Sequence, residues 1–247
     1  MTELKPGERW DRLMREDLDI IQSADHFAFS IDALLLADFA QTKASARSVT
    51  VDFCTGNGVL PLVLAQRTQG KVYGIEWQED VADMAQRSVC HNHLEDQVQI
   101  IQGNIRRARD YFAHDSVDLI TCNPPYFKVY PQSPLNPNDS KAVARHELLM
   151  TAEDIFQQAK ILLKSRGKLY LVHQVERLPE LLLLADKHRL QLKRLRLVYP
   201  LPGREAHIVL LEFIKNGQAK GLRAEPPLYI HDQEGHYSKE VAAVLYG

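Results

Sequence analysis

The feature that most constrains this chain is an alternation of short apolar strands, small-residue turns and helical segments running from about residue 49 to residue 214. Val49–Phe53 predicts a first strand, Cys54–Gly58 a tight turn, and Val59–Arg67 a helix that tolerates Pro61 in its first turn. Lys71–Glu76, Val98–Ile101, Val117–Cys122 and Leu169–His173 predict four further strands, with helices over Asp80–His93 and Leu178–His188. Between the fourth and fifth strands, Thr151 and Asp154 have the spacing of a helix N-cap. Ile155, Phe156, Ala159, Leu162 and Leu163 then form a buried face, and Gly167 is expected to stop the helix. Leu190–Tyr199 and His207–Ile214 complete the strands, and the apolar parity slips at Lys193-Arg194, as at a bulge or an edge. Strand, short turn and helix in repetition mean an α/β fold: a mostly parallel sheet covered by helices on both faces. Ligands of such sheets sit at the carboxyl ends of the strands, so the turns after strands one to four are where chemistry is expected.

At 247 residues the chain suits one large α/β domain with a modest addition. We divide it into an N-terminal helical extension, residues 1–45, packing on the ligand pocket, and a main domain, residues 46–247. A composition of 45% hydrophobic and 25% charged residues excludes collagen-like, disulfide-scaffold and wholly disordered chains. No apolar run approaches the roughly 18 residues of a membrane helix and the first residues are polar, which predicts a cytoplasmic protein without a membrane partner. The net charge of −2 provides no global basic field, so a nucleic-acid partner must be held by local patches. Cys54, Cys90 and Cys122 are odd in number and widely spaced, which suits a reducing compartment. Oligomeric state is left open, a monomer being compatible.

Two glycines stand in Asp52-Phe-Cys-Thr-Gly-Asn-Gly58, and Glu76 ends the next strand. Gly56 and Gly58 allow a ligand to approach the backbone. A dinucleotide site would carry a third glycine where Pro61 stands, and Asp52 ahead of the glycines suits a cationic or hydroxyl-rich ligand better than a pyrophosphate. Glu76, 18 residues past Gly58, is placed to accept from a ribose diol. An adenosine ligand without pyrophosphate points to S-adenosyl-L-methionine. Asn104, after strand three, could bond the adenine amino group, although Asn is also ordinary turn chemistry.

The sharpest motif is Asn123-Pro124-Pro125-Tyr126 at the exit of a buried strand. Two prolines make the turn rigid and carbonyl-presenting. The Asn123 amide oxygen and the Pro124 carbonyl can accept both N–H groups of a planar amine while Tyr126 stacks on its ring, which is catalysis by positioning and fixed dipoles. Residues 127–150 follow without regular period, as functional or disordered loops do, and end in Arg145-His146-Glu147. Cys90-His91-Asn92-His93 is read as a helix end rather than a metal site, so no metal is expected, and Arg106, Arg107 and Arg109 as a solvated helix face. Lys187-His188-Arg189 with Lys193, Arg194 and Arg196 fits an RNA-facing patch and a solvated edge equally well.

With these residues in place, the chain resembles the class I S-adenosylmethionine-dependent methyltransferases that act on planar nitrogens. More narrowly, it resembles the bacterial tRNA1(Val) (adenine(37)-N6)-methyltransferase family. Phe29-Ser-Ile-Asp-Ala-Leu-Leu-Leu-Ala37, Ala144-Arg-His-Glu147, Pro202-Gly-Arg-Glu-Ala206 and Glu225-Pro-Pro-Leu228 carry the narrower likeness. The resemblance implies a Rossmann-like, seven-stranded sheet and N6-methylation of an adenine in RNA, most naturally a tRNA anticodon loop. It implies that Asp52, Cys54, Gly56 and Gly58 line the cofactor, with Glu76 on the ribose, Asn104 on the adenine and Asn123 beside the methyl group. Ser30 and Asp32 would reach the same pocket from the N-terminal helix. Cys54 and Asn104 depart from the wider class, which often has glycine and aspartate there. Protein glutamine N5-methylation and guanine N2-methylation of rRNA use related turns and stay open as alternatives. DNA adenine methylation lacks a separate recognition domain here, and an intact Asn123-Pro-Pro-Tyr126 argues against a silent binding module.

Overall fold

The computed structural model describes residues 3–24, 30–125 and 150–247. Two antiparallel strands, β1 (Glu8–Leu13) and β2 (Leu18–Ser23), come first, followed by α1 (Ile31–Phe39). The main alternation is β3 (Val49–Phe53), α2 (Val59–Ala65), β4 (Lys71–Glu76), α3 (Glu79–His91), β5 (Val98–Gln102), a 3-10 turn (Ile105–Asp110) and β6 (Val117–Cys122). After residue 150 come α4 (Ala152–Leu162), β7 (Leu163–Gln174), α5 (Leu178–Lys187), β8 (Leu190–Tyr199) and β9 (Ile208–Lys215). Two-residue strands β10 (Arg223–Ala224) and β11 (Leu228–Tyr229) and helix α6 (Lys239–Tyr246) end the chain.

Seven strands form the body of the sheet in the order β8-β9-β7-β6-β3-β4-β5, and β10 and β11 each pair with β8. All neighbours from β7 to β5 are parallel, and β9 alone runs antiparallel between β7 and β8. The order reverses at β3, so the crevice between the carboxyl ends of β3 and β6 is the topological switch point.

The sheet is buried on both sides, which is why its strands read as apolar runs. One face packs Val72, Leu119, Tyr170 and Leu210 against α1, α2 and α6, while the other packs Phe53, Ile120, Leu171 and Phe213 against α4 and α5. α4 starts on a complete capping box, Thr151 accepting from the Asp154 backbone and Asp154 from the Thr151 backbone, as its sequence spacing implied.

Three expectations are corrected. The extension over residues 1–45 is helical only in its second half: residues 8–23 form a hairpin, because Trp10↔Ile21 and Arg12↔Asp19 make good cross-strand pairs. Arg12 bonds Asp19 at 2.8 Å, and Asp17 takes the left-handed turn at φ +60°. Helix α4 stops at Leu162, five residues before Gly167, which instead lies in an irregular bend of β7 where the pairing jumps from Leu163 to Lys168. A Cβ at Gly167 would lie 2.9 Å from the Lys164 carbonyl oxygen, so that bend needs glycine. Arg106, Arg107 and Arg109 sit on a 3-10 turn rather than a regular helix. The parity slip in β8 is a bulge, its register to β9 shifting between Leu192 and Arg194.

Candidate active site

Each turn expected to carry chemistry is at the same end of the sheet, and four of them follow adjacent strands. Asp52 is the penultimate residue of β3, Cys54, Gly56 and Gly58 form the turn into α2, Glu76 ends β4, Asn104 follows β5, and Asn123 follows β6. The parallel register places Asp52 opposite Gly74 and Thr121, and Phe53 opposite Cys122. The cofactor turn and the Asn123 turn therefore leave neighbouring strands at the same height.

The glycine turn is built from left-handed residues. Cys54, Gly56 and Gly58 have φ of +59°, +57° and +92°. The left-handed value at Cys54 explains why glycine is the easier residue there, a side chain costing roughly 1–2 kcal/mol in that region. Gly56 and Gly58 are needed for different reasons. A Cβ on Gly56 would meet nothing within 4 Å, so the space beside its backbone is open to a ligand. One on Gly58 would press 3.1 Å from Ala85 Cβ, so this glycine also lets α2 and α3 approach.

Glu76 is buried, and its two oxygens hold the loops on either side: Oε2 accepts from the Gly56 N–H and Oε1 from the Gln78 N–H, both at 2.9 Å. Asp52 is fully buried. Its Oδ1 accepts from the Thr121 hydroxyl and its Oδ2 from the Thr55 hydroxyl, both at 2.6 Å. Burial pushes the Asp52 carboxyl up to about 7, against the pull of the two hydroxyls, and the Glu76 charge adds to the rise. Among the described residues, neither acid forms an ion pair.

Asn104 caps the 3-10 turn, its Oδ1 accepting from the Arg106 N–H at 2.9 Å. Asn123 and Pro125 are partly exposed and Pro124 is buried. Cys54 Sγ lies 3.1 Å from Met150 Sδ, which ties the turn to the residue just before α4. Ser30 stands at the N-cap position of α1 with its side chain making no cap bond and is exposed, whereas Asp32 is buried in the first turn of that helix, which packs on α2 and β7. Tyr126, the loop over residues 127–149 and Arg145-His146-Glu147 lie outside the described residues.

Sequence reasoning passed over the hydroxyls of Thr55 and Thr121. A buried acid inside an apolar strand needs donors; Thr55 supplies one from three residues on, and only the strand register shows that Thr121 supplies the other. Asn57 was also missed: its side-chain amide donates to the Ile21 carbonyl at 3.0 Å and fastens the N-terminal hairpin to the glycine turn. The Cys90-His91-Asn92-His93 segment joins the same hairpin. His91 bonds Asp19 and stacks on Trp10, and the Asn92 amide donates to the Asp19 carbonyl at 2.6 Å.

The basic cluster around β8 is committed internally. Arg194 is 5% exposed, bonds Glu212 and Glu225, and lies 4.1 Å over the Phe39 ring. Arg196 forms a two-pronged pair with Glu240, Lys187 pairs with Glu153, and Lys193 donates to the Gln218 and Lys220 carbonyls. Neither of the two readings describes Arg194, which is buried on internal carboxylates, and Arg196, Lys187 and Lys193 are likewise held by partners within the chain.

Strand order, the single antiparallel strand, and an acid-flanked glycine turn at the switch point define a Rossmann-like class I methyltransferase that uses S-adenosyl-L-methionine. The residues fit that cofactor: open backbone at Gly56, and buried acids at the ends of β3 and β4 that form no ion pair among the described residues, for a hydroxyl-rich, positively charged ligand. Residues 28–186 match the methyltransferase small domain family, and the chain belongs to it. A tRNA1(Val) (adenine(37)-N6)-methyltransferase from Porphyromonas gingivalis is 32% identical over 91% of this chain and 89% of its own length. One of the same name from Shewanella halifaxensis is 29% identical over 85% and 87%. Among solved structures, a protein described as a predicted O-methyltransferase from Agrobacterium tumefaciens superposes with a TM-score of 0.68. It is 21% identical, over 86% of this chain and 94% of that one, a likeness of fold.

Proposed function

We propose that this enzyme transfers a methyl group from S-adenosyl-L-methionine to N6 of an adenine in a tRNA anticodon loop. The observation that carries the chemistry is the exit of Asn123-Pro124-Pro125 from β6, one strand from the glycine turn and in register with it. Relatives named for adenine-37 methylation of tRNA1(Val), matched over most of their length, support the substrate.

Bound at the turn, the cofactor supplies an electrophilic methyl group on a sulfonium. The chain's own residues do the positioning. Glu76 holds the ribose hydroxyls while keeping Gly56 in place, and Gly56 and Gly58 admit the methionine end. Asn104 meets the adenine of the cofactor from the cap of its 3-10 turn, and Cys54, Ser30 and Asp32 complete the wall. At the other turn, the Asn123 amide oxygen and the Pro124 carbonyl accept the two N6 hydrogens, which draws the nitrogen lone pair out of conjugation with the ring. Tyr126 stacks on the purine. The rate comes from orientation and preorganised dipoles, with no strong base at the nitrogen, which sheds its extra proton to water once the methyl group has been transferred. An anticodon-loop base suits such a site because splaying it out costs little. The three free thiols fit the reducing cytoplasm, where tRNA is modified.

The test incubates the purified protein with methyl-labelled S-adenosyl-L-methionine and separately with unmodified tRNA, rRNA, duplex DNA and a glutamine-bearing protein. Nucleoside and peptide mass spectrometry then locate the label. N6-methyladenosine in tRNA is the expected product. Label on glutamine or on guanine N2 would replace the proposed target.

A further inference from the structure

Both halves of the site meet at one buried carboxylate. Thr121 sits on β6 directly opposite Asp52 and two residues before Asn123, and its hydroxyl donates to Asp52 Oδ1 at 2.6 Å. Thr55 opens the glycine turn and donates to Asp52 Oδ2 at 2.6 Å. Its backbone N–H donates to the Ile75 carbonyl at 3.0 Å, and its carbonyl accepts from the Gly58 N–H at 3.0 Å. Its side chain occupies space that β4 leaves by having glycine at 74: a Cβ there would stand 2.6 Å from Thr55 Oγ1. A continuous path of hydrogen bonds thus runs from β6, the strand that Asn123 follows, through Asp52, to Gly58.

We propose that Thr121 is a positioning residue, fixing the turn that holds the target amine to the turn that holds the methyl donor through Asp52. It rests on the reading of Asn123 as the residue that receives the amine. Asp52 is completely buried with one hydroxyl on each oxygen, so it serves the reaction as the joint between two turns. The charge that reaches it is that of Glu76 at the end of β4, and its own charge in turn helps to hold the buried Cys122 thiol, beside Thr121, in its neutral form. Removing the Thr121 hydroxyl leaves Oδ1 without its donor, which raises the carboxyl's hold on its proton and unties β6 from the turn. Loss of alignment by about 1 Å between reacting groups costs on the order of 100-fold in rate.

The test uses the full-length protein with Thr121→Val, Thr121→Ser and Thr55→Val, each checked for folding by circular dichroism. Calorimetric binding of S-adenosylhomocysteine from pH 6 to 9 reads the carboxylate without any RNA, and single-turnover transfer to unmodified tRNA reads the alignment. Thr121→Val is expected to transfer methyl roughly 10- to 100-fold more slowly at pH 7. Its binding midpoint should move upward by about one pH unit, the effect of losing one hydrogen bond to a charged acceptor. Thr121→Ser should restore both readouts, and Thr55→Val should move the midpoint in the same direction. Unchanged transfer in Thr121→Val, a serine variant as impaired as valine, or an unmoved midpoint in either valine variant overturns the coupling. Should Thr121→Val fail to fold, Thr55→Val and Thr121→Ser decide the matter through the midpoint. A parent protein that binds S-adenosylhomocysteine without methylating tRNA would overturn the proposed substrate, and the midpoint would still judge the coupling.

Discussion

Two regions of this molecule carry the charges that stand out in its sequence, and they use them in opposite ways. At the ends of β3 and β4, Asp52 and Glu76 are buried, and among the described residues they accept from hydroxyl and backbone amide donors and form no ion pair. Along β8, Arg194 and Arg196 are each matched to a carboxylate, and Arg194 takes two. An acid without a counter-charge, as Glu76 is here, is what a ligand can complete, whereas a charge already neutralised holds the fold together. Density of charged residues along the chain does not distinguish the two.

Four experiments would break or sharpen that contrast. The largest effect is expected from Asn123→Ala, which should lower transfer by about 10²–10³-fold, the range for losing one preorganised polar contact, with S-adenosylhomocysteine binding retained. Unimpaired transfer would remove the amine-holding role. Next comes Glu212→Ala. Its carboxylate accepts from Tyr170 at 2.8 Å and Arg194 at 3.0 Å and lies 3.3 Å from Lys168. Deleting it leaves the buried Tyr170 hydroxyl without its acceptor and Arg194 with Glu225 alone, at a cost of about 1–3 kcal/mol. A urea titration should show the loss, with cofactor affinity unchanged in the folded fraction. A full-stability variant that binds tRNA poorly would turn the β8 edge back into a nucleic-acid surface.

Glu76→Ala should weaken S-adenosylhomocysteine by about 10- to 100-fold, the worth of roughly 1.5–3 kcal/mol of charge-assisted hydrogen bonding. Calorimetry reads it, and wild-type affinity would take Glu76 out of the cofactor site. The smallest effect is a pH dependence of the ligand-free protein. Burial raises the Asp52 carboxyl from 3.8 to about 7, so the fold favours its neutral form. Its stabilising contribution is complete below pH 3.8 and is lost as pH rises through about 7. Thermal melts of Asp52→Asn should therefore decline less between pH 5 and 8 than those of the parent. Parallel curves would mean that Asp52 is ionised throughout.

Much of the fold was legible because its signals are local. Val49–Phe53, Lys71–Glu76 and Val117–Cys122 begin and end where the apolar runs do, since strands buried on both faces admit few polar residues. The Thr151 capping box is legible because both partners lie within four residues. The N-terminal hairpin was not, because its pairing depends on contacts such as Ser88 Oγ with the Ile21 N–H and Asn57 with the Ile21 carbonyl. The end of α4 was missed for a related reason: pairing of Leu163 with Val117 captures the chain before Gly167 is reached.

From its sequence alone the chain determines a glycine turn flanked by acids and an Asn-Pro-Pro exit after a buried strand, because glycine, proline and apolar periodicity act on the backbone within a few residues. Only the tertiary structure decided that Asp52 is a joint, that Thr55 and Thr121 are its donors, and that the arginines of β8 are spent on Glu212, Glu225 and Glu240. Apart from Thr55, three residues from Asp52, those assignments turn on which groups meet across 18 to 69 residues of chain, and a charge or hydroxyl carries no local mark of the partner that the sheet register will bring to it.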